Sequence, residues 1–399
     1  MPEPQPPCRC RGPGHAKITA GRFLLSARWV VPVEPAGAVL EHHTVALRDG
    51  TIEQVLPSSE ALRKFPDYEN VELPDHVLMP GLVNAHAQAA TSLMRGLPAA
   101  RKAAAEERLL SADFVRDGTA LACADMLLGG ITCFNDTYFF AEAALDAALE
   151  AGMRVSLGLI VSDVPTAYAS DPADYRRKGL GLRDRLGERA LVSFALAPQS
   201  LSDSGLKHIA TLAAELDLPV HVRVDRPGEV ERLYRLGLLG PSLAAVHASA
   251  LEPVEIDLLA RHGCSVVQDR GFLLKSGVGL ALAADSERFD LFAAMRAGSL
   301  PAHAALHAAT FGGARALGLS AQIGSIVPGK RADLVALAVR GPCHDAIRYV
   351  VHVAGREDVT HVWVDGALRV RDARLETHAS RLDSRWQIWQ NALESRADS

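Results

Sequence analysis

Eight short apolar runs alternate with stretches of helical periodicity through the middle of the chain, and no other feature narrows the fold as much. They are Val77–His86, Ile131–Asp136, Met153–Val161, Leu191–Ala197, Val220–Val224, Leu243–His247, Ser265–Gln268 and Val278–Ala284. Strands buried on both faces read as continuous apolar runs, and strands separated by helices pair in parallel. Eight such units predict an α/β fold, a closed (β/α)8 barrel of the TIM-like kind.

The texture changes at both ends. From Lys17 to about Leu73, β-rich runs alternate with turn residues such as Asp49-Gly50, which predicts antiparallel sheet. The same pattern returns in Ala332–Ala338 and in Val359–Val370, where Asp365-Gly366 is a hairpin signal. A small β-sandwich built from both chain ends, residues 17–75 with 325–378, is therefore expected beside a barrel at 76–324. Residues 379–399 carry Trp386, Ile388 and Trp389 at helical spacing and predict a docked C-terminal helix. Residues 1–16 are rich in Pro, Gly and Arg and predict a disordered leader. Cys8, Cys10 and His15 could in principle hold a metal there, but the composition favours a tail.

Of the 399 residues 48% are apolar, enough for one large core and a smaller one. A net charge of −5 with no extended basic face speaks against a nucleic-acid partner, and no apolar run reaches the roughly 20 residues needed to span a bilayer. Cys123, Cys133 and Cys264 lie in apolar runs and read as small buried hydrophobes, which fits a cytoplasmic protein. The leader lacks the apolar core of a secretory signal.

The first barrel run ends in Leu82-Val83-Asn84-Ala85-His86-Ala87-Gln88. A strand's period of two puts His86 and Gln88 on one face at the carboxyl end, where such barrels carry their chemistry. The stretch Pro80-Gly81-Leu82-Val83-Asn84-Ala85-His86, followed by Met94-Arg95-Gly96, resembles the amidohydrolase superfamily, in the branch of triazine hydrolases and S-adenosylhomocysteine or methylthioadenosine deaminases. Gly324-Ser325-Ile326-Val327-Pro328-Gly329-Lys330-Arg331-Ala332-Asp333-Leu334-Val335 is similar to that family's return into its small β-domain. The likeness runs from about Ile18 to about Leu375, and dimers are common in this branch, so the resemblance also implies a homodimer.

In this branch the resemblance implies one divalent metal, held by a His-x-His after strand 1, a histidine at the end of strand 5 and an aspartate after strand 8. Zinc so held lowers the pKa of its bound water towards about 7 and supplies hydroxide at neutral pH. His86 matches the first ligand, but Gln88 occupies the second, and an amide oxygen is a weaker donor to zinc than imidazole. The strand 5 segment reads His221-Val222-Arg223-Val224-Asp225-Arg226, with Arg223 at the ligand position and Arg226 at the proton-shuttling carboxylate. Guanidinium has no lone pair to give, so Arg223 is no ligand. His221 shares its strand face, two residues deeper, and reads as a barrel-interior histidine. His247 matches a histidine that the family sets beside the metal for substrate contact and proton transfer, and Asp285 stands where the family has its metal-binding and base aspartate. Ala197-Pro198-Gln199-Ser200 and Val267-Gln268-Asp269-Arg270 depart from the family's histidine-bearing segments, and the loops after Leu97 and Asp285 look shortened.

Two readings follow. The first has the metal site dismantled: a metal-free, non-hydrolytic homologue without a cofactor, in which Arg223 forms an ion pair with Asp285 in place of the metal. With Arg226 and Gln88 as further binding residues, its mouth would take a small, anionic molecule. The second is an active deaminase of an adenine-like or other cyclic C–N substrate. It would use a reduced ligand set, His86 and Asp285 on one zinc, iron or nickel ion, with His247 and Asp285 as catalytic groups.

Overall fold

The computed structural model describes residues 21–248, 251–268, 277–376 and 380–394. The expected leader at 1–16 and the departure at Asp269-Arg270 lie outside these residues.

The chain enters through β1 (Arg22–Val30), β2 (Leu40–Arg48), β3 (Thr51–Pro57) and β4 (Glu69–Pro80). It then runs through β5 (Leu82–Ala87), β6 (Ile131–Asp136), β7 (Arg154–Ser162), β8 (Val192–Gln199), β9 (Val220–Arg223), β10 (Leu243–Val246), β11 (Ser265–Gln268) and β12 (Gly279–Leu282). It returns through β13 (Leu334–Ala338), β14 (Val359–Val364), β15 (Ala367–Arg371) and β16 (Arg374–Leu375).

Strands β5 to β12 form one parallel sheet in sequence order, each bonded to the next. Each of the eight sequence-predicted runs contributes a strand to it. The two edges, β5 and β12, are stitched by a side chain: the buried Asn84 amide donates to Ala284 O at 2.9 Å and accepts from Ala284 N–H at 3.0 Å. One amide thus supplies the donor and acceptor that a ladder would have provided. The barrel closes where the chemistry is expected.

The other sheet has the order β16-β15-β14-β13-β4-β1-β2-β3 and joins both chain ends through β4. Its core alternates along the strands, with Phe23, Leu25 and Ala27 on β1 facing Val45 and Leu47 on β2 and Leu334 and Ala336 on β13. Contrary to the expected antiparallel pattern, β1 and β4 pair in parallel, because the helix Ser58–Lys64 carries the chain across between β3 and β4. Asp365 and Gly366 both take positive φ, 55° and 75°, as the β14–β15 hairpin requires.

The predicted first barrel strand, Val77–His86, is in fact two strands. Val77 to Pro80 pair with β13 in the outer sheet, and the barrel begins only at Leu82. Gly81 makes the passage possible: a Cβ there would lie 2.1 Å from Thr132 Oγ1. Below the barrel, the fully buried Arg154 at the start of β7 donates to both carboxylate oxygens of Asp333, at 2.8 and 2.9 Å, and to Asp365 at 3.2 Å. This cluster fastens the barrel floor to the outer sheet.

The helix Ser380–Glu394 follows the sheet. Trp389 packs edge-on to Phe114 at 5.3 Å and donates its indole N–H to Asp117 at 2.9 Å. Ile388, expected beside it, is exposed, since one residue along a helix turns the side chain away by about 100°. No described helix is long and apolar enough to cross a membrane.

Candidate active site

A cavity of about 500 Å³ opens at the carboxyl ends of β5, β6, β8, β9 and β10. His86 and Gln88 reach it from β5, as the period of two required, and His221 and Arg223 reach it from β9. On β9, Val220 and Val222 belong to the core on the other face of the strand, so His221 and Arg223 must point along the lumen.

His247 arrives differently. Simple alternation would send it outward with Ala245, which packs in the outer core. Its backbone instead takes φ +58°, a left-handed setting that a residue with a Cβ adopts only at a cost. That turn brings the imidazole back into the cavity, edge-on to His86 with ring centroids 5.1 Å apart.

Burial keeps the two strand histidines neutral. His86 is pushed down to about 3, mainly by loss of water and secondarily by His247, His221 and Arg223; His221 is pushed down to about 4, again by burial. Each has a buried Nδ1 with no hydrogen-bond partner among the described residues. The Nε2 of His221 lies 3.1 Å from Ala316 O, a carbonyl that can only accept, so Nε2 holds the proton and Nδ1 keeps its lone pair.

The expected ion pair between Arg223 and Asp285 does not form. Arg223 Nε donates to Asp225 Oδ2 at 2.6 Å with the arginine side chain 66% exposed, and Arg226 lies 3.7 Å from the same carboxylate. Asp285 is exposed, accepts from Glu287 N–H at 3.1 Å in the turn after β12, and is absent from the described cavity lining. A carboxylate two residues along the chain is simply nearer than one across the barrel mouth. Asp285 is therefore not positioned as a metal ligand or catalytic group with His86. Gln88, Arg223 and Arg226 do line the cavity, at its exposed rim.

Sequence reading missed several lining groups. Thr137 follows β6, and Glu229 begins the helix after β9, where it accepts from Arg226 N–H at 3.2 Å; Gln199 and Ser200, noted in the sequence only as a departure from the family pattern, also line the cavity at the end of β8. Arg232, one turn along that helix, ties Asp203 and Leu201 O to the same wall. Buried Asp136, at the end of β6, holds Ala89 N–H at 2.8 Å and so fixes the turn that follows Gln88; burial pushes its carboxyl up to about 7. Polar residues just past apolar strand runs were the available signal.

Donor chemistry tests the divalent metal that the resemblance implies. The neutral imidazoles of His86 and His221 each keep a lone pair, but Gln88 offers only an amide oxygen, Arg223 none, and Asp285 is not among the described cavity-lining residues. Among the described residues no three His, Cys, Asp or Glu lie where they could hold one ion. The described set does not fit a three-ligand zinc centre.

Comparison with known proteins fixes the lineage. The model of the Amidohydrolase family matches residues 77–369. A 5-methylthioadenosine/S-adenosylhomocysteine deaminase of Saccharophagus degradans is 34% identical, covering 96% of this chain and 99% of its own. An adenosine deaminase from Xanthomonas campestris, solved with bound zinc, superimposes with a TM-score of 0.90 at 34% identity, over 94% of this chain and 99% of that one. An atrazine chlorohydrolase from Arthrobacter aurescens, complexed with zinc, shares the fold at a TM-score of 0.83 and 18% identity, over 92% and 99%. These relatives overturn the expectation of a metal-free, non-hydrolytic homologue: proteins similar over nearly the whole chain are named as deaminases, and structural neighbours hold zinc. With three quarters of its length matched by the family model and full-length relatives above 30% identity, the chain belongs to the amidohydrolase family.

Proposed function

We propose that the chain is a hydrolytic deaminase of adenine-type nucleosides, exchanging the amino group of the base for oxygen from water and releasing ammonia. One observation carries this reading: 34% identity over 96% of the chain to a protein named for deamination of 5-methylthioadenosine and S-adenosylhomocysteine. The cavity supports it in size, since small-molecule sites span about 300–1,000 Å³.

Proton transfer falls to His247, whose strained backbone holds the ring against His86. A positioned imidazole that takes a proton from water or gives one to the departing amine contributes about 10²–10⁴ in rate. Arg223 and Arg226 stand at the rim beside Asp225 and Glu229. Cations and carboxylates side by side suit an anionic or zwitterionic tail, as the amino-acid end of S-adenosylhomocysteine carries.

Ammonia release from 5-methylthioadenosine, S-adenosylhomocysteine and adenosine, with and without added zinc, tests the reading. Release from at least one, falling about 100-fold in His247→Ala, is expected. No release from any of them under either condition overturns it. Zinc, iron and nickel content are measured on the same preparation, because the structural neighbours hold zinc while the described donors fall short of three.

A further inference from the structure

We infer that His221 is a substrate-binding residue in the wall of the cavity, its Nδ1 accepting an N–H from the amino group of the base. The identity of the ligand rests on the deaminase reading above; the direction of the hydrogen bond does not.

His221 is 3% exposed, lines the cavity, and has its tautomer fixed from behind by Ala316 O. Its remaining nitrogen is a buried acceptor without a partner among the described residues. Such a group costs free energy until a donor reaches it. Among the described residues, Ala85, Ala244, Val246, Ala281 and Ala283 of the neighbouring lumen are apolar and mostly small, and the Ser265 hydroxyl on β11 makes no bond to Nδ1. Because His221 lines the cavity, a donor among the cavity's contents can satisfy Nδ1.

An adenine-type base has one donor group, the exocyclic amine, and its ring nitrogens only accept once the sugar is attached. A site that presents a bare acceptor therefore reads the amine and orients it inward, towards His86 and His247. After reaction the same position carries a carbonyl oxygen, whose lone pairs face that of Nδ1.

The test compares 5-methylthioadenosine with its 6-methylpurine analogue, which has the same shape without the N–H, on wild type, His221→Phe and His221→Gln. In His221→Phe the KM for the amino compound is expected to rise about tenfold, while Ki for the 6-methyl analogue stays within twofold. His221→Gln, which can offer an amide oxygen, recovers part of the difference and guards against a folding defect in the Phe variant. Parallel changes in KM and Ki, or no change in either, overturn the inference. Loss of bound zinc in His221→Phe would assign the lone pair to a cation and also overturn it. If wild type releases no ammonia, the deaminase reading fails by itself, and equilibrium dialysis of the two nucleosides gives the same contrast: a preference for the amino compound lost in His221→Phe upholds the assignment, and equal binding sinks it.

Discussion

Two arginines sit at the tips of barrel strands, Arg154 at the start of β7 and Arg223 at the end of β9, and their circumstances are opposite. Arg154 is 2% exposed and saturated by Asp333, Asp365 and Ala190 O. Arg223 is 66% exposed and, among the described residues, is ion-paired with Asp225. At the floor, the Arg154 charge is buried with fixed carboxylate partners, because a buried ion without one is costly. At the mouth, the charges are solvated, and His86 and His221 hold buried ring nitrogens without a hydrogen-bond partner among the described residues. The floor stores stability, and the mouth keeps unmet bonding capacity for a ligand.

The contrast breaks most visibly at Arg154. Arg154→Ala strands Asp333 in the junction and is expected to cost about 3–5 kcal/mol in urea unfolding. A loss below about 1 kcal/mol would put the two ends of the barrel on a par. Asn84→Ala comes next: it leaves the Ala284 N–H and carbonyl unpaired, for about 1–3 kcal/mol by the same measurement.

A pH titration sharpens the comparison on the mouth side. An unfolded histidine takes up a proton near pH 6.5, whereas His221 in the fold resists until about 4. Its contribution is therefore fully present above about pH 6.5 and lost as pH falls towards 4. Asp136 works the other way, since its folded carboxyl holds a proton up to about 7, giving stability that fades as pH rises through that value. Subtracting the unfolding free energy of His221→Phe from that of wild type between pH 7 and 4 isolates the histidine, and a flat difference would show that its ring is not held neutral. The smallest effect belongs to Arg223→Ala, expected to shift stability by no more than about 1 kcal/mol, as an exposed pair does.

Much of the scaffold was legible because parallel strands buried on both faces write themselves as apolar runs, and the Asp-Gly pair at 365–366 needs its positive φ values. Strand parity also placed His86, Gln88, His221 and Arg223 on the lumen. Legibility stopped where strands end. Nothing in Ala245-Val246-His247-Ala248 announces a left-handed backbone at His247, and family likeness alone pointed to its ring. The pairing of Arg223 was misjudged because alignment suggested a partner across the barrel, while chain connectivity favoured Asp225. Asn84 could have been flagged: an amide in an apolar run needs a buried partner, and here that partner is 200 residues away.

That partnership has a mechanical sequel. A zipper of paired backbones tolerates slippage, because a shifted strand can find new mates one step along. A single amide facing one residue cannot: if β5 and β12 slid by a residue, both bonds would vanish together. The seam therefore acts as a locating pin, setting the height of His86 in the lumen, two residues beyond, to within the tolerance of a hydrogen bond.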